Sequence, residues 1–154
     1  MGANFSSAFI CGWLPLVIFG MSYNERATMK SALYMKGMAT RKKVMGKTHI
    51  AKRHASTDKF STQQQEFVTA YAWGAFWSRR DLPLKIRSLV TLAMITALNR
   101  PEEIKGHIRG ALNNGATPEE IMGVFHHATV YCGFPAANGA VRVGAEVFRE
   151  LGLI

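Results

Sequence analysis

Cysteine is scarce in this sequence of 154 residues, and the spacing of its two cysteines argues against several kinds of site. Cys11 and Cys132 form neither a CxxC motif nor a cluster with histidine. Structural zinc sites and local dithiol centres need ligands that are close together in the sequence. The sequence therefore argues against a metal hydrolase and a thioredoxin-like enzyme, and we expect Cys132 to be a small buried apolar residue.

Period-two alternation of apolar and polar residues is also lacking, and no β-hairpin turn is evident, so we expect no β-sheet. From residue 61 onward, apolar residues recur at helical spacing instead. The sequence predicts five helices in this part of the chain. Four start signals are an S-x-x-Q box at Ser61, an N-cap at Asp81 with Pro83 in the first turn, Pro101, and a T-x-x-E box at Thr117. The last helix is predicted from about Ala136 to Leu151. The sequence predicts an all-α fold.

Three of these helices carry apolar stripes that predict their buried faces. In the second helix the stripe consists of Ile86, Leu89, Val90, Ala93, Met94 and Ala97. In the third it consists of Ile104, Ile108, Ala111 and Leu112, and in the fourth of Ile121, Val124, Phe125, Ala128 and Tyr131. Gly106 and Gly110 thin the face beside the third stripe, so we expect another helix to approach closely there.

Acidic residues are rare in the first 60 positions, which makes this part of the chain strongly basic. Residues 1–60 contain ten lysines and arginines and two acidic residues, whereas residues 61–154 contain nine basic and eight acidic residues. Such an arm is typical of a solvated extension, and the alternative is binding to phosphate backbones or an acidic membrane surface. No recognisable nucleic-acid-binding module accompanies it, so we expect no nucleic-acid partner.

The apolar run at residues 8–19 is short for a membrane span, which needs about 20 residues. No lysine or arginine precedes it, as a secretory signal would require, and Pro15 would interrupt a helix. We interpret the run as an extension outside the core, at a membrane interface or against a neighbouring subunit, with a signal peptide as the alternative. We expect no stable membrane insertion.

The third helix carries the most informative pair of ionisable residues. His107 lies within the apolar stripe, three residues after Ile104, and Glu103 lies one turn before it. A carboxyl group and an imidazole at the edge of a packed apolar face can donate a proton near neutral pH. The alternative interpretation is a structural Glu–His pair that caps a core or a subunit contact.

Three arginines and a second histidine are further candidates. Arg87, Arg100 and Arg109 flank the second and third helices, and arginine is suited to bidentate carboxylate binding. His127 shares a face of the fourth helix with Tyr131, so it is a second candidate for catalysis. The alternatives are solvated or intersubunit arginines and a core or surface histidine.

Several longer segments are distinctive: residues 87–93 (RSLVTLA), residues 107–115 (HIRGALNNG) and residues 131–138 (YCGFPAAN). Together they resemble the carboxymuconolactone decarboxylase family, and residues 36–46 and 71–74 resemble the stretch that precedes its helical core. The resemblance covers residues 34–154, which we interpret as one domain. Residues 1–33 would then be an N-terminal extension of uncertain role.

The resemblance implies an all-α, alkylhydroperoxidase-like helical bundle of about five to six helices, assembled as a cytoplasmic homo-trimer or homo-hexamer. It also implies a carboxy-lyase that needs no cofactor. Its small anionic substrate would be 4-carboxymuconolactone, converted to the enol-lactone of 3-oxoadipate in protocatechuate breakdown. His107 would be the proton donor or oxyanion partner and Glu103 would orient it, with His127 as a second oxyanion candidate. Arg87, Arg100 or Arg109 would bind the substrate carboxylates.

Two departures from the family pattern lie in the N-terminal third, where residues 1–33 have no counterpart and residues 47–55 are unusually basic. The redox branch of the superfamily carries a CxxCxxxH motif, and this chain has Arg100 and Glu103 at the cysteine positions before His107. A peroxidase would lack its thiolate nucleophile. Two alternatives to the decarboxylase are an alkylhydroperoxidase-like redox protein, against which the missing thiolate argues, and a binding module that acts through the basic arm.

Overall fold

The computed structural model describes residues 23–55 and 58–154, which form seven α-helices, one π-helical segment and no β-strand. These elements are α1 (Tyr23–Met45), α2 (Lys47–Ala55), α3 (Lys59–Val68), the π-helical segment (Thr69–Trp77), α4 (Leu84–Ala97), α5 (Pro101–Asn113), α6 (Pro118–Cys132) and α7 (Phe134–Glu150). The all-α prediction is confirmed, with more helices than the five to six expected because α1 and α2 add to the later ones. The interpretation of residues 8–19 lies outside the described residues.

Of the predicted helix caps, one is confirmed and two are corrected by the structure. Thr117 caps α6 as expected, since its hydroxyl accepts the Glu120 backbone N–H while the Glu120 carboxylate accepts the Thr117 N–H. The cap of α3 is Asp58 rather than Ser61, whose side chain instead completes the box from the third helical position. The prediction for Asp81 is wrong, because its carboxylate binds two arginines and α4 begins only after Pro83.

The main core lies among α4, α5, α6 and α7. Its fully buried side chains include Leu92, Ile104, Ile108, Ala111, Ile121, Phe125, Ala140 and Val147. The stripe predicted for the third helix, which is α5 in the structure, is therefore confirmed at three of its four positions. Leu112, the fourth, is partly buried against the same core.

The stripe predicted for the second helix, which is α4, is wrong at most of its positions, because this helix turns a different face inward. Its buried residues are Ser88, Leu92 and Thr96, whereas Val90 and Met94 are 40% and 61% exposed. Ser88 can occupy the buried face because its hydroxyl donates to the Leu84 carbonyl and accepts from the Asn114 amide. The buried hydroxyl of Thr96, by contrast, has no hydrogen-bond partner among the described residues. Ile86, Val90 and Met94 of the stripe therefore lie on the surface of this chain, whereas Leu89 is partly buried against the core.

Helix α1 packs on the π-helical segment, and the C-terminal end of α1 contacts α5. The crossing with the π-helical segment is so close that a Cβ on Gly37 would overlap the carbonyl oxygen of Thr69. At the other contact, a Cβ on Gly110 would lie 3.1 Å from the Met45 sulfur, which confirms the close approach expected on that face of α5. No helix in the described part of the chain has the length and apolar character of a membrane span.

Candidate functional site

A cavity of about 530 Å³ lies where α1, α2, α3, the π-helical segment and α5 meet. Its apolar lining includes Met45, Ile50 and Trp73. Its charged and titratable lining residues are Arg41, His49, Glu102, Glu103, Lys105, His107 and Arg109. The cavity thus combines a carboxylate-and-imidazole pair with several cations, an arrangement suited to proton transfer on an anionic ligand.

His107 and Glu103 line this cavity together, as their spacing on one helix predicts. The His107 side chain is half-buried, and its ring stacks on Trp77 with the ring centroids 6.2 Å apart. Glu103 is exposed in the first turn of α5, where a negative charge is favoured by the helix dipole. The neighbouring Ile104 and Ile108 are buried in the core, so the helix that carries the pair is firmly held.

Arg109, one of the three arginine candidates, lines the same cavity and is bound to a carboxylate at its edge. Its guanidinium forms an ion pair with Glu150, and Lys105 Nζ lies 2.7 Å from the other oxygen of that carboxylate. The hydrogen bond from Lys105, together with the charges of both cations, lowers the pKa of Glu150. Glu150 is therefore the internal competitor for any anion that approaches Arg109 or Lys105.

Two functional candidates in the cavity were missed by sequence reasoning, Arg41 and His49. Arg41 belongs to a run of basic residues, a pattern that predicts solvent exposure. It is nevertheless buried, whereas Lys42 and Lys43 are exposed. A signal was available in the sequence: Gly37, Arg41 and Val44 recur at i, i+4 and i+7, and all three are buried. His49 lies in α2, in the basic stretch that departs from the family pattern.

The stacked rings of Trp73 and Trp77 form a row of contacts between Arg41 and His107. The Arg41 guanidinium lies 5.9 Å from the ring centroid of Trp73, whose ring stacks on Trp77 at 4.7 Å. Both tryptophans belong to the π-helical segment, a conformation that is rare and occurs frequently at functional sites.

The other predicted site residues are not brought to this cavity. Arg87 donates to the Asp81 carboxylate at 2.7 Å, and Arg100 is exposed just before α5. A hydrogen bond from Arg79 is the main cause of the lowered pKa of Asp81. His127 is exposed on α6, with its ring 4.7 Å from that of Tyr131.

His127 belongs instead to an apolar groove between α4 and α6. This groove of about 670 Å³ is lined mainly by Leu89, Val90, Ala93, Val124, Ala128 and Tyr131. Cys132 also lines it, and the expectation that this thiol is buried is wrong because it ends α6 on the outward side. Within the described residues, no group of three or more histidine, cysteine or acidic side chains is placed to hold a metal ion.

Comparison with known proteins identifies relatives that share most of the chain. A 4-carboxymuconolactone decarboxylase from Acinetobacter baylyi is 38% identical over 120 residues, which are 78% of this chain and 90% of the relative. A nitrosuccinic acid decarboxylase from Metarhizium robertsii is 36% identical over 119 residues, 77% of this chain and 83% of the relative.

The model of the carboxymuconolactone decarboxylase family matches residues 63–146. This range includes α4, α5 and α6 and the His107–Glu103 pair, and it excludes Arg41 and His49. With more than half of the chain matched and relatives covered almost to their full length, the chain belongs to the carboxymuconolactone decarboxylase family.

Proposed function

We propose that this chain decarboxylates 4-carboxymuconolactone to the enol-lactone of 3-oxoadipate without a cofactor. The observation that carries the proposal is the cavity in which His107 and Glu103 lie among Arg41, Lys105 and Arg109. Similarity to a decarboxylase of this lactone supports the substrate. The relative named for nitrosuccinic acid supports the reaction class, since both compounds are diacids that carry an electron-accepting group.

The substrate supplies its own electron sink. Its leaving carboxylate is attached to a ring carbon that is vinylogously conjugated to the lactone carbonyl. When this C–C bond breaks, CO2 departs and the electron pair spreads through the conjugated ring to the carbonyl oxygen of the lactone. A proton then adds to the ring carbon next to the carbonyl, so each turnover consumes one proton and releases one CO2. The protein needs to orient the diacid, stabilise the oxyanion and deliver the proton.

We assign these tasks to residues of the cavity. His107 donates the proton or hydrogen-bonds the oxyanion, and Glu103 orients or reprotonates it. Arg109 binds an anionic group of the substrate in exchange for part of its contact with Glu150. A positioned acid contributes about 10²–10⁴ to the rate and a preorganised oxyanion donor about 10²–10³. Arg87, Arg100 and His127 remain predictions for a substrate or oxyanion contact outside this cavity.

The proposal predicts turnover that is insensitive to metal removal. Purified protein should consume enzymatically generated 4-carboxymuconolactone in the presence of EDTA and without added cofactor, as followed by ultraviolet absorbance. A folded protein that leaves the lactone unchanged would refute this substrate. Thiol-dependent peroxide turnover that is lost in Cys132→Ser would instead favour the redox alternative.

We also propose that the chain forms a homo-oligomer, a trimer or a hexamer, and that it is cytoplasmic. The apolar side chains on the outward faces of α4 and α6 support assembly, because Met94, Val130 and Tyr131 are 61%, 79% and 76% exposed. The exposed free thiol of Cys132 supports a reducing compartment.

A charge on the apolar surface should reduce the oligomer mass. We expect Val130→Glu to shift the species seen by light scattering towards the monomer of 17.0 kDa, because burying an unpaired carboxylate between subunits is costly. Ile154→Glu is the matched control, since this residue is also exposed and follows α7 rather than belonging to α4 or α6. Equal masses for wild type and both variants would show that this surface is not an interface.

A further inference from the structure

One cation of the cavity is much more deeply buried than the others. Arg41 is 6% exposed, whereas the side chains of Arg109 and Lys105 are 33% and 41% exposed and bind Glu150. Charges at such depth interact strongly with an anion, because water screens them little. Arg41 is therefore the cation of this cavity with the most to contribute to the binding of an anionic ligand.

Two hydrogen bonds from the Arg41 guanidinium go to neutral oxygens. One terminal nitrogen donates to the Thr69 hydroxyl and the other to the Gln65 side-chain carbonyl, both at 2.9 Å. These two bonds orient the guanidinium, and neither acceptor carries a negative charge. A guanidinium has five N–H donors in a planar fork, so the same group can also bind a carboxylate.

The tryptophan pair separates this cation from the proposed acid. Arg41 lies beside Trp73, and His107 stacks on Trp77, the second ring of the pair. Arg41 and His107 nevertheless line the same cavity of about 530 Å³. The two groups are thus positioned to bind different parts of one ligand.

The chemistry of decarboxylation decides which part of the ligand belongs at Arg41. The leaving carboxylate loses its negative charge as CO2 forms, so a cation bound to it stabilises the ground state more than the transition state and slows the reaction. The second carboxylate keeps its charge throughout. A cation bound there contributes affinity and orientation without raising the barrier.

We infer that Arg41, oriented by Gln65 and Thr69, binds the carboxylate that the substrate keeps and thereby makes the chain selective for diacids. The inference rests on the proposed decarboxylation for its kinetic consequences. Its consequence for binding does not depend on turnover: any lactone with a free carboxylate side chain should bind better than its neutral ester.

The first test compares 4-carboxymuconolactone with its derivative in which the retained carboxylate is a methyl ester. Wild type should prefer the diacid about 10–100-fold in kcat/KM, the range expected for a charge-assisted hydrogen-bonded pair. In Arg41→Met this preference should fall to about 1–3-fold, with most of the loss for the diacid in KM rather than kcat. A variant that loses activity on both compounds in equal proportion would overturn the inference.

A second variant tests the site with the arginine in place. Gln65→Glu puts a carboxylate where the neutral amide accepts the Arg41 hydrogen bond, so it should compete with the substrate and raise KM for the diacid about tenfold or more. Gln64→Glu is the matched control, an exposed residue one position earlier on α3. Equal KM values for the two variants would contradict the assignment.

A binding measurement separates this inference from the proposed function. Muconolactone, which keeps the carboxylate side chain and lacks the leaving carboxylate, should bind wild type at least tenfold more tightly than its methyl ester in calorimetry. Arg41→Met should abolish the difference. If wild type binds in this way without decarboxylating any lactone, the proposed function fails and the role of Arg41 stands. If wild type binds acid and ester equally, the role of Arg41 fails whatever the turnover.

Discussion

Replacing His107 with alanine is expected to lower kcat for the decarboxylation by about 10²–10⁴-fold, the contribution of a positioned proton donor. The loss of stability should be much smaller, about 1 kcal/mol, because the side chain is half-buried at the cavity and its neighbours Ile104 and Ile108 form the core contacts of α5. Steady-state kinetics with the lactone, together with urea unfolding at one protein concentration, would measure both effects.

His126→Ala is the control for this experiment. His126 is exposed on α6 and lines neither the cavity nor the apolar groove described above, so its removal should leave kcat and stability close to wild type. A kcat for His107→Ala within a few-fold of wild type would remove this imidazole from the chemistry. A large and equal loss of stability and activity would assign it a structural role instead.

The pair at His107 could be predicted because one helix carries all the information. Glu103 and His107 are one turn apart, and the stripe of Ile104, Ile108 and Ala111 determines which way the helix faces. Helical spacing alone then places the carboxyl and the imidazole at the edge of the buried face. No contact with another element was needed for that step.

The orientation of α4 could not be predicted in the same way, because this helix is apolar on more than one side. Ser88 and Thr96 occupy the buried face, and the more apolar positions Val90 and Met94 are outside. Hydrophobicity ranks the faces of a helix, but it does not distinguish a face buried in the chain from one available to another subunit. The hydrogen bond between Asn114 and Ser88 that accompanies the inward face joins residues 26 positions apart.

Arg41 was missed because its surroundings come from distant parts of the chain. Its partners Gln65 and Thr69 follow 24 and 28 residues later, and the conversion of α3 into a π-helical segment at Thr69 has no signal in the apolar spacing. The local sequence shows a lysine and arginine run, which is usually solvated, and the helical spacing of Arg41 from Gly37 and Val44 is a weak signal beside it. The tertiary contact between α1 and the π-helical segment turns one member of that run into a buried cation.

That contact should be very sensitive to a single methyl group. Gly37→Ala is expected to destabilise the protein by about 3 kcal/mol, because the new Cβ would overlap the backbone carbonyl of Thr69 and would lie 2.8 Å from the Gly74 nitrogen. Backbone atoms cannot rotate away as a flexible side chain can, so α1 has to move. Arg41 is one turn further along the same helix, so substrate affinity should fall together with the free energy of unfolding measured in urea.

Gly139→Ala provides the control that isolates the steric effect. Gly139 is also within a helix, but a Cβ there would make only an ordinary contact, 3.6 Å from the Asn99 side chain. Alanine should therefore stabilise α7 by about 0.5–1 kcal/mol, the usual gain over glycine in a helix. The same gain acts on α1 in Gly37→Ala, so a net loss there shows that the overlap exceeds it. If both variants were stabilised equally, α1 and the π-helical segment could not cross as closely as described, and the hydrogen bond from Arg41 to Thr69 would lose its structural basis.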